Sequence, residues 1–369
     1  MTEVLANPAF FVTYALIQAV LFLLLIRFLD LYEREPLSIL ALMAAWGATG
    51  AIAISLVGNE VVLGALPPKV REVFGPAISG PLVEEPAKGL ALLVAFLLSY
   101  LAAKRFGFLE LEGVTDGIVY GAAVGLGFAF TEDLFYLVNT AGQQSVEAGL
   151  DEYVSRVDFF GIGQLGHAVY AGAFGAGLGL ATWSRGWSRR IGFVALGLLV
   201  AMFMHAVHNG LVSFALVARY GLENTAAALN GVGVPGDLYG RMQATAGAAN
   251  TGVTVAEYAF AAIFFAAVAG WLYYQRRVIR DELADEVDSG LLSRDEWEMM
   301  PRYWRRSREY WRLFWAGKLE RWRLRRRIHN ELVDLAFLKW RAKRAGGGWE
   351  QVEKRRRRIS RLRSVETAE

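Results

Sequence analysis

Glu84 and Glu85 open the run Glu84-Glu85-Pro86-Ala87-Lys88, at the head of a segment that is apolar from Gly89 to Leu98. One charge at the centre of a membrane-spanning helix costs roughly 3 kcal/mol or more, so such groups are expected to turn inward and pair. Other apolar segments carry Glu132 and Asp133, His167, and the run His205-Ala206-Val207-His208-Asn209. Three of the four histidines of the chain therefore lie in apolar surroundings; His329 is the exception.

Helical spacing decides which of these groups can meet. His205 and Asn209 are four apart and share a face, and His208, three from His205, lies near it. Glu84 and Lys88 are also four apart and can pair. Glu84 and Glu85 point about 100° apart on a helix and are expected to play different roles. A helix starting near Pro81 would place Pro86 where its missing N–H costs little. It would also set both carboxylates near the positive end of the helix dipole.

Imidazoles and carboxylates without thiolates suit zinc, which lowers the pKa of a bound water to about 7. The expected chemistry is metal-assisted hydrolysis. His167 and His205 are the expected zinc ligands, and His208 is a further ligand or an orienting group. Glu85 or Glu84 is expected to activate water, with Glu132 a ligand or second base. Asn209 is placed to support an oxyanion, and Lys88 to neutralise Glu84. No HExxH or GxSxG run is present. Taken singly, each residue also has a structural reading: an interfacial carboxylate pair, a polar clamp between helices, a packed histidine. For Asp116 and Glu257, near span ends, that reading is preferred.

The elements that must position these groups are membrane helices. The chain has 369 residues, 54% of them hydrophobic, and a mean hydropathy of +0.30. Its apolar residues cluster in stretches of about 20, the length that crosses a bilayer. The expected fold is all-α and polytopic. Seven spans are expected, at Phe10–Phe28, Leu37–Val57, Pro81–Ala102, Val114–Val138, Gly161–Trp183, Ile191–Val217 and Val253–Tyr274. Along this chain Glu84, Glu85, Glu132, His167, His205 and His208 fall at similar depth and are expected to meet in one layer. Gly117, Gly121 and Gly125, with Gly172, Gly175 and Gly179, read as close-packing seams. The absence of cysteine excludes disulfides and thiolate metal sites. Met1 to Pro8 has no basic residue and does not read as a signal peptide.

Charge divides the chain at about residue 275. Residues 1–275 hold 13 Lys and Arg against 20 Asp and Glu, and residues 276–369 hold 26 against 16. The expected domains are a transmembrane domain at 1–275 and a basic, aromatic-rich helical tail at 276–369. Basic residues of the short loops (Arg27, Arg34, Lys104, Arg105, Arg185, Arg189 and Arg190 on one side; Lys69, Arg71, Arg156, Arg219 and Arg241 on the other) favour a cell-membrane protein with its N-terminus outside and its C-terminus cytoplasmic. The acidic loop with Glu147, Asp151, Glu152 and Asp158 then lies outside. In the tail, Ser293-Arg294-Asp295-Glu296 fits a capping box, and Gly346-Gly347-Gly348 reads as a flexible break. Trp304, Trp311, Trp315 and Trp322 interleave with Arg and Lys. Anionic lipid headgroups are the expected partner of this pattern, or it forms a small helical domain; nucleic acid is disfavoured.

At its polar positions the sequence resembles the PrsW-type intramembrane proteases, relatives of the CAAX-prenyl and bacteriocin-processing membrane proteases. The resemblance covers about residues 80–215. Glu84 and Glu85 match the family's EE pair, Phe128 and Glu132 its FxxxE, and His205, His208 and Asn209 its HxxHN. It implies cleavage of a membrane-associated protein, in one branch an anti-sigma factor, and leaves open whether zinc or a glutamate-activated water does the work. The rival expectation is a proton- or ion-coupled carrier built from the same Glu and His residues. Carriers usually show repeated halves, and here the Glu-Glu and His-x-x-His runs occur once each.

Overall fold

A computed structural model describes residues 8–29, 31–32, 35–106, 113–157, 162–231, 233–345 and 347–368. Met1 to Asn7, Arg34, Asp158, Gly161 and Gly346 lie outside the described residues, as do the side chains of Lys104, Arg105 and Arg156. Among the described residues there are helices and no strand. All seven expected spans fall in helices. They lie in α1 (Pro8–Leu29), α2 (Leu37–Ala65), the run of α3 (Pro68–Ser79) into α4 (Glu85–Phe106), α5 (Val114–Gln143), α7 (Ile162–Trp183), α8 (Trp187–Leu229) and α9 (Gly236–Glu282). Four helices are long and apolar enough to cross a membrane: Leu37–Ala65, Val114–Gln143, Trp187–Leu229 and Gly236–Asp288. A short helix α6, Val146–Val157, occupies the expected acidic loop.

The chain forms two compact units, residues 1–28 with 35–265, and residues 29–34 with 266–369. This division and the one expected at 275 both fall inside α9. In the first unit α5 is the central helix. Its most apolar stretch is 83% buried, against 17% to 22% for the other three apolar helices. Glycine explains how a helix can be enclosed so closely. A Cβ on Gly117 would stand 1.9 Å from the carbonyl oxygen of Gly175, and one on Gly121 2.2 Å from that of Ala171. A Cβ on Gly125 would stand 2.1 Å from the carbonyl oxygen of His167. Against α2, Gly127 would meet the carbonyl oxygen of Ala44 at 1.9 Å. The core of the unit, including Leu40, Leu92, Val124 and Leu178, surrounds these crossings.

The second unit is a helical bundle with its own core. After α9 come α10 (Ala284–Asp288), α11 (Arg294–Met299), α12 (Tyr303–Trp315), α13 (Leu319–Ala345) and α14 (Trp349–Ala368). Leu283, Met300, Ile328, Leu332, Val352 and Ile359 are buried. Ser293 caps α11 by accepting from the Glu296 N–H at 3.3 Å, which is one half of the expected capping box. The Glu296 carboxylate turns away to Arg325 at 3.2 Å and Arg363 at 2.6 Å. Glu286 likewise accepts from Lys339 and Arg356. Gly348, at φ +91°, makes the turn between α13 and α14.

Two outcomes follow. Gly121→Ala puts a methyl group onto a backbone carbonyl and is expected to destabilise the first unit by about 1–3 kcal/mol, as overpacking does. Gly192→Ala on α8, where a Cβ meets nothing within 4 Å, is the neutral control, both read by thermal melting in detergent. The second outcome concerns acid. Burial raises the Glu296 carboxyl, but His329, Arg363 and their charge outweigh it and hold it at about 2, below the ordinary 4.5. Burial pushes His329 below 6.5. Both shifts make the unfolded chain the better proton acceptor. The stability contributed by His329 is expected to decline as pH falls below 6.5, and that of Glu296 from about 4.5 toward 2, measurable as acid-induced loss of structure in residues 266–369 by hydrogen exchange.

Candidate active site

The carboxylate pair lies inside a continuous helical rod. Helices α3 and α4 are joined by a π-helical turn, Gly80–Glu84, rather than by a loop. Pro76, Pro81 and Pro86 each lack an N–H, and such gaps in the hydrogen-bond ladder open a helix locally. The expected helix start near Pro81 is therefore corrected: the rod begins at Pro68. Glu84 and Glu85 stand in its middle, so the dipole argument does not apply to them. Helix α2 braces this segment, because Trp46 Nε1 donates to the Ala87 carbonyl at 3.1 Å. A second π-helical turn, Gly47–Ala51 in α2, presents the Ala48 carbonyl, which accepts from Thr131 Oγ1 at 2.9 Å. That bond anchors α5 one residue before Glu132.

Six of the seven expected site residues converge, together with Lys88. Lys88 is fully buried. Its Nζ lies 2.5 Å from Glu85 Oε1 and 2.9 Å from His167 Nδ1, and 4.3 Å from the centre of the Phe128 ring. The ammonium thus neutralises Glu85 directly, not Glu84. Glu85 Oε1 also meets His205 Nδ1 at 2.7 Å. His167 Nε2 meets Glu132 Oε2 at 2.8 Å. Charge complementarity assigns the protons: His167 accepts at Nδ1 from Lys88 and donates at Nε2 to Glu132, and His205 donates at Nδ1 to Glu85. That leaves a lone pair on His205 Nε2, which receives Asn209 Nδ2 at 3.1 Å. The other Asn209 N–H goes to the Pro76 carbonyl at 3.1 Å.

Glu84 ends this network. Asn59 Nδ2 donates to its Oε1 at 3.1 Å. Its Oε2 is buried and has no hydrogen-bond partner among the described residues. That oxygen lies 3.8 Å from His205 Nε2. An unsatisfied buried carboxylate oxygen is costly unless something unseen satisfies it.

Glu84, His167 and His205 each offer one ligand atom within 4.8 Å of the others. The donor set fits a divalent cation. With neutral imidazoles, the carboxylates of Glu84, Glu85 and Glu132 face a single ammonium and leave two negative charges. Glu84 Oε2 is open for ligation, ligation at His205 Nε2 requires the Asn209 N–H to give way, and the Glu85 contact on Nδ1 is the usual support of a ligating imidazole. His167 is bracketed at both nitrogens, so its ligation requires Lys88 or Glu132 to give way.

His208 is not part of this group. Its Nδ1 meets Glu257 Oε1 at 2.6 Å, and its side chain is 41% exposed. Residues 35–231 match the profile of the PrsW family of intramembrane metalloproteases. The chain belongs to this family. No curated protein and no solved structure matches it. The matched stretch holds every expected site residue from Glu84 to Asn209 and stops short of the second unit. With several helices apolar enough to span a bilayer, this PrsW family member is a multi-pass membrane protein.

The site also contains residues that the spacing did not single out. Asn59 sits two residues past the expected end of the second span, and its polarity in an apolar helix was the available signal. Gly80 had none: a Cβ there would lie 3.0 Å from Asn209 Nδ2 and 3.1 Å from His205 Nε2. Tyr170 stacks on His205 with ring centres 5.6 Å apart. Its buried hydroxyl has no partner among the described residues.

The Lys88–Glu85 pair makes a checkable claim. Removing one member of a buried pair strands the other and costs about 3–5 kcal/mol, whereas removing both costs less. Lys88→Met and Glu85→Gln are each expected to lower the detergent melting temperature. The double variant is expected to lie closer to wild type than their sum, and strict additivity would show that the two side chains do not interact.

Proposed function

We propose that the protein is an intramembrane peptidase that hydrolyses a peptide bond of a membrane-associated protein at the Glu84–His167–His205 cluster. The observation that carries this reading is the unsatisfied Glu84 Oε2 facing His205 Nε2, at the end of a buried network that orients both. Glu84, His205 and His167 would hold the ion, and zinc is the metal their chemistry suits. A bound zinc ion supplies a Lewis acid for the scissile carbonyl and a water acidified to a pKa of about 7.

The remaining work falls to the chain's own residues. Glu132 takes a proton from the attacking water and returns it to the amide nitrogen as the C–N bond breaks. Glu85 is a positioning residue: fixed by Lys88, it holds the proton on His205 Nδ1 and leaves the lone pair on Nε2. The Asn209 N–H, released from His205 Nε2 when an ion is taken up there, stays beside the site to support a developing oxyanion. Lys88 and Phe128 fix the far edge of His167. His208 acts outside the cluster, with Glu257.

The unsatisfied oxygen also favours a second reading within the same activity. Glu84 Oε2 would itself deprotonate water, with Glu132 and His167 as partners and no metal. No observation favours a carrier. The family's chemistry suggests a single-span protein as substrate, an anti-sigma factor being one instance. The loop charges support an outside N-terminus, a cytoplasmic C-terminus and a site nearer the outer leaflet.

Elemental analysis of purified protein, together with cleavage of co-reconstituted single-span proteins, tests the proposal. About one zinc per chain is expected, absent in His205→Ala. Glu132→Gln is expected to keep the ion and lose activity by about 100- to 10,000-fold, the usual loss for a general base. Active protein without metal would discard the zinc reading and favour Glu84 as base. Metal retained in His205→Ala would place the ion elsewhere.

A further inference from the structure

Helix α12, Tyr303–Trp315, has two unlike faces. Its inner face is committed. Arg306 is buried and lies 5.4 Å from the Tyr32 ring centre, and Tyr310 Oη lies 2.9 Å from His329 Nδ1. The outer face carries Trp304, Trp311 and Trp315, all exposed, with Trp315 reaching 79%. At 100° per residue these three fall within about 40° of arc, forming one ridge. Trp311 and Trp315 stack on each other with ring centres 6.4 Å apart, and Phe314 packs edge-on against both.

Arg308, Arg312 and Arg305 follow on one flank of the ridge, within the next 80° or so. All three are exposed, and none is paired with a carboxylate among the described residues. Arg325, Arg355, Arg356 and Arg363 of the same unit, by contrast, are paired. An open cleft of about 460 Å³ runs along the arginine flank. Its carboxylates include Glu296 and Glu309, both in contact with Arg325, and Asp295.

We propose that α12 is an interfacial anchor: the Trp304–Trp311–Trp315 ridge enters the surface of an anionic bilayer, and Arg305, Arg308 and Arg312 engage lipid phosphates. Three observations select this occupant. Indole rings favour the headgroup level, where an apolar body and a polar N–H are both satisfied. Unpaired arginines beside the ridge suit a phosphate layer, which supplies the counter-charge that the described residues do not. Finally, α9 runs without a break from the apolar stretch that crosses the membrane into this unit. The bilayer is thus tethered to α12 at high effective concentration, which no soluble partner or nucleic acid is. The net positive charge of residues 276–369 acts in the same direction. The inference does not depend on the protease reading.

The chain has no cysteine, so a single spin label can be placed cleanly. The experiment uses full-length Trp315→Cys in nanodiscs, each holding one chain, made of phosphatidylcholine alone or with phosphatidylglycerol, and in proteoliposomes of the same lipids. Accessibility to oxygen and to a nickel chelate is read by electron paramagnetic resonance, with Glu350→Cys on α14 as aqueous reference. The expected result is a several-fold rise in the oxygen-to-nickel ratio at position 315 in the anionic membrane, lost when Arg305, Arg308 and Arg312 are all changed to Gln. A label in water in both membranes would overturn the proposal. Equal depth in both would overturn the assignment to anionic headgroups. Protection from both reagents with dipolar broadening in proteoliposomes would assign the ridge to a second copy instead. Trp311→Cys repeats the measurement should Trp315→Cys alter the melting temperature.

Discussion

A charge without water must find its counter-charge inside the protein, and the buried contact between Lys88 and Glu85 meets that demand at the centre of this molecule. The rest of the site can be derived from it. Glu85, held by Lys88, has an oxygen within reach of His205 Nδ1 and so selects its tautomer. Lys88 has a further proton for His167 Nδ1, which leaves His167 Nε2 to meet Glu132. Each group satisfies the next, and the series stops at Glu84 Oε2. The proposed chemistry is placed where satisfaction runs out. Had every lone pair been matched, the cluster would be a polar clamp between helices and nothing more.

Such a network tolerates little slack, since hydrogen bonds are confined to a narrow range of distance and weaken steeply as their angle closes. Glycine supplies the rigidity. The contacts of Gly117, Gly121 and Gly125 bring α5 against α7 backbone to backbone, and the last of them touches the His167 carbonyl itself. Sliding α7 along α5 would carry His167 away from both Lys88 and Glu132. The two π-helical turns contribute differently. One admits His205 and Asn209 beside Gly80, and the other offers a carbonyl to Thr131 next to Glu132. Packing and chemistry are thus joined at particular residues: Gly125 with His167, Gly80 with His205, Thr131 with Glu132.

Much of this was legible in the sequence, for a definable reason. Ionisable residues in apolar segments are expensive, so their presence at matching depths in separate spans carried information about proximity. Glu84, Glu85, Glu132, His167 and His205 do converge. What was not legible depended on angles. Lys88 was expected four residues from its partner, yet in the structure it pairs three residues back, with Glu85. His205 and His208 differ by about 60° around α8, which suffices to turn one into the cluster and the other toward Glu257. Asn59 was missed because apolarity fades before the helix ends. In residues 266–369 the count of basic residues was visible but their direction was not. Arg356 and Arg363 point inward at Glu286 and Glu296, as parts of a core.

The same electrostatic rule explains the contrast between those inward arginines and the three left over on α12. A buried carboxylate such as Glu286, fully enclosed, must be neutralised, and it recruits Lys339 and Arg356 to do so. Glu296 recruits Arg325 and Arg363. Once the enclosed acids are matched, further basic residues add nothing to the fold. Arg305, Arg308 and Arg312 have no such acid to serve, and beside them Trp304, Trp311 and Trp315 keep most of their surface exposed. Exposed side chains arranged in a ridge and a parallel row on one helix suit a surface outside the fold. For a unit tethered to a membrane helix, the nearest such surface is the bilayer.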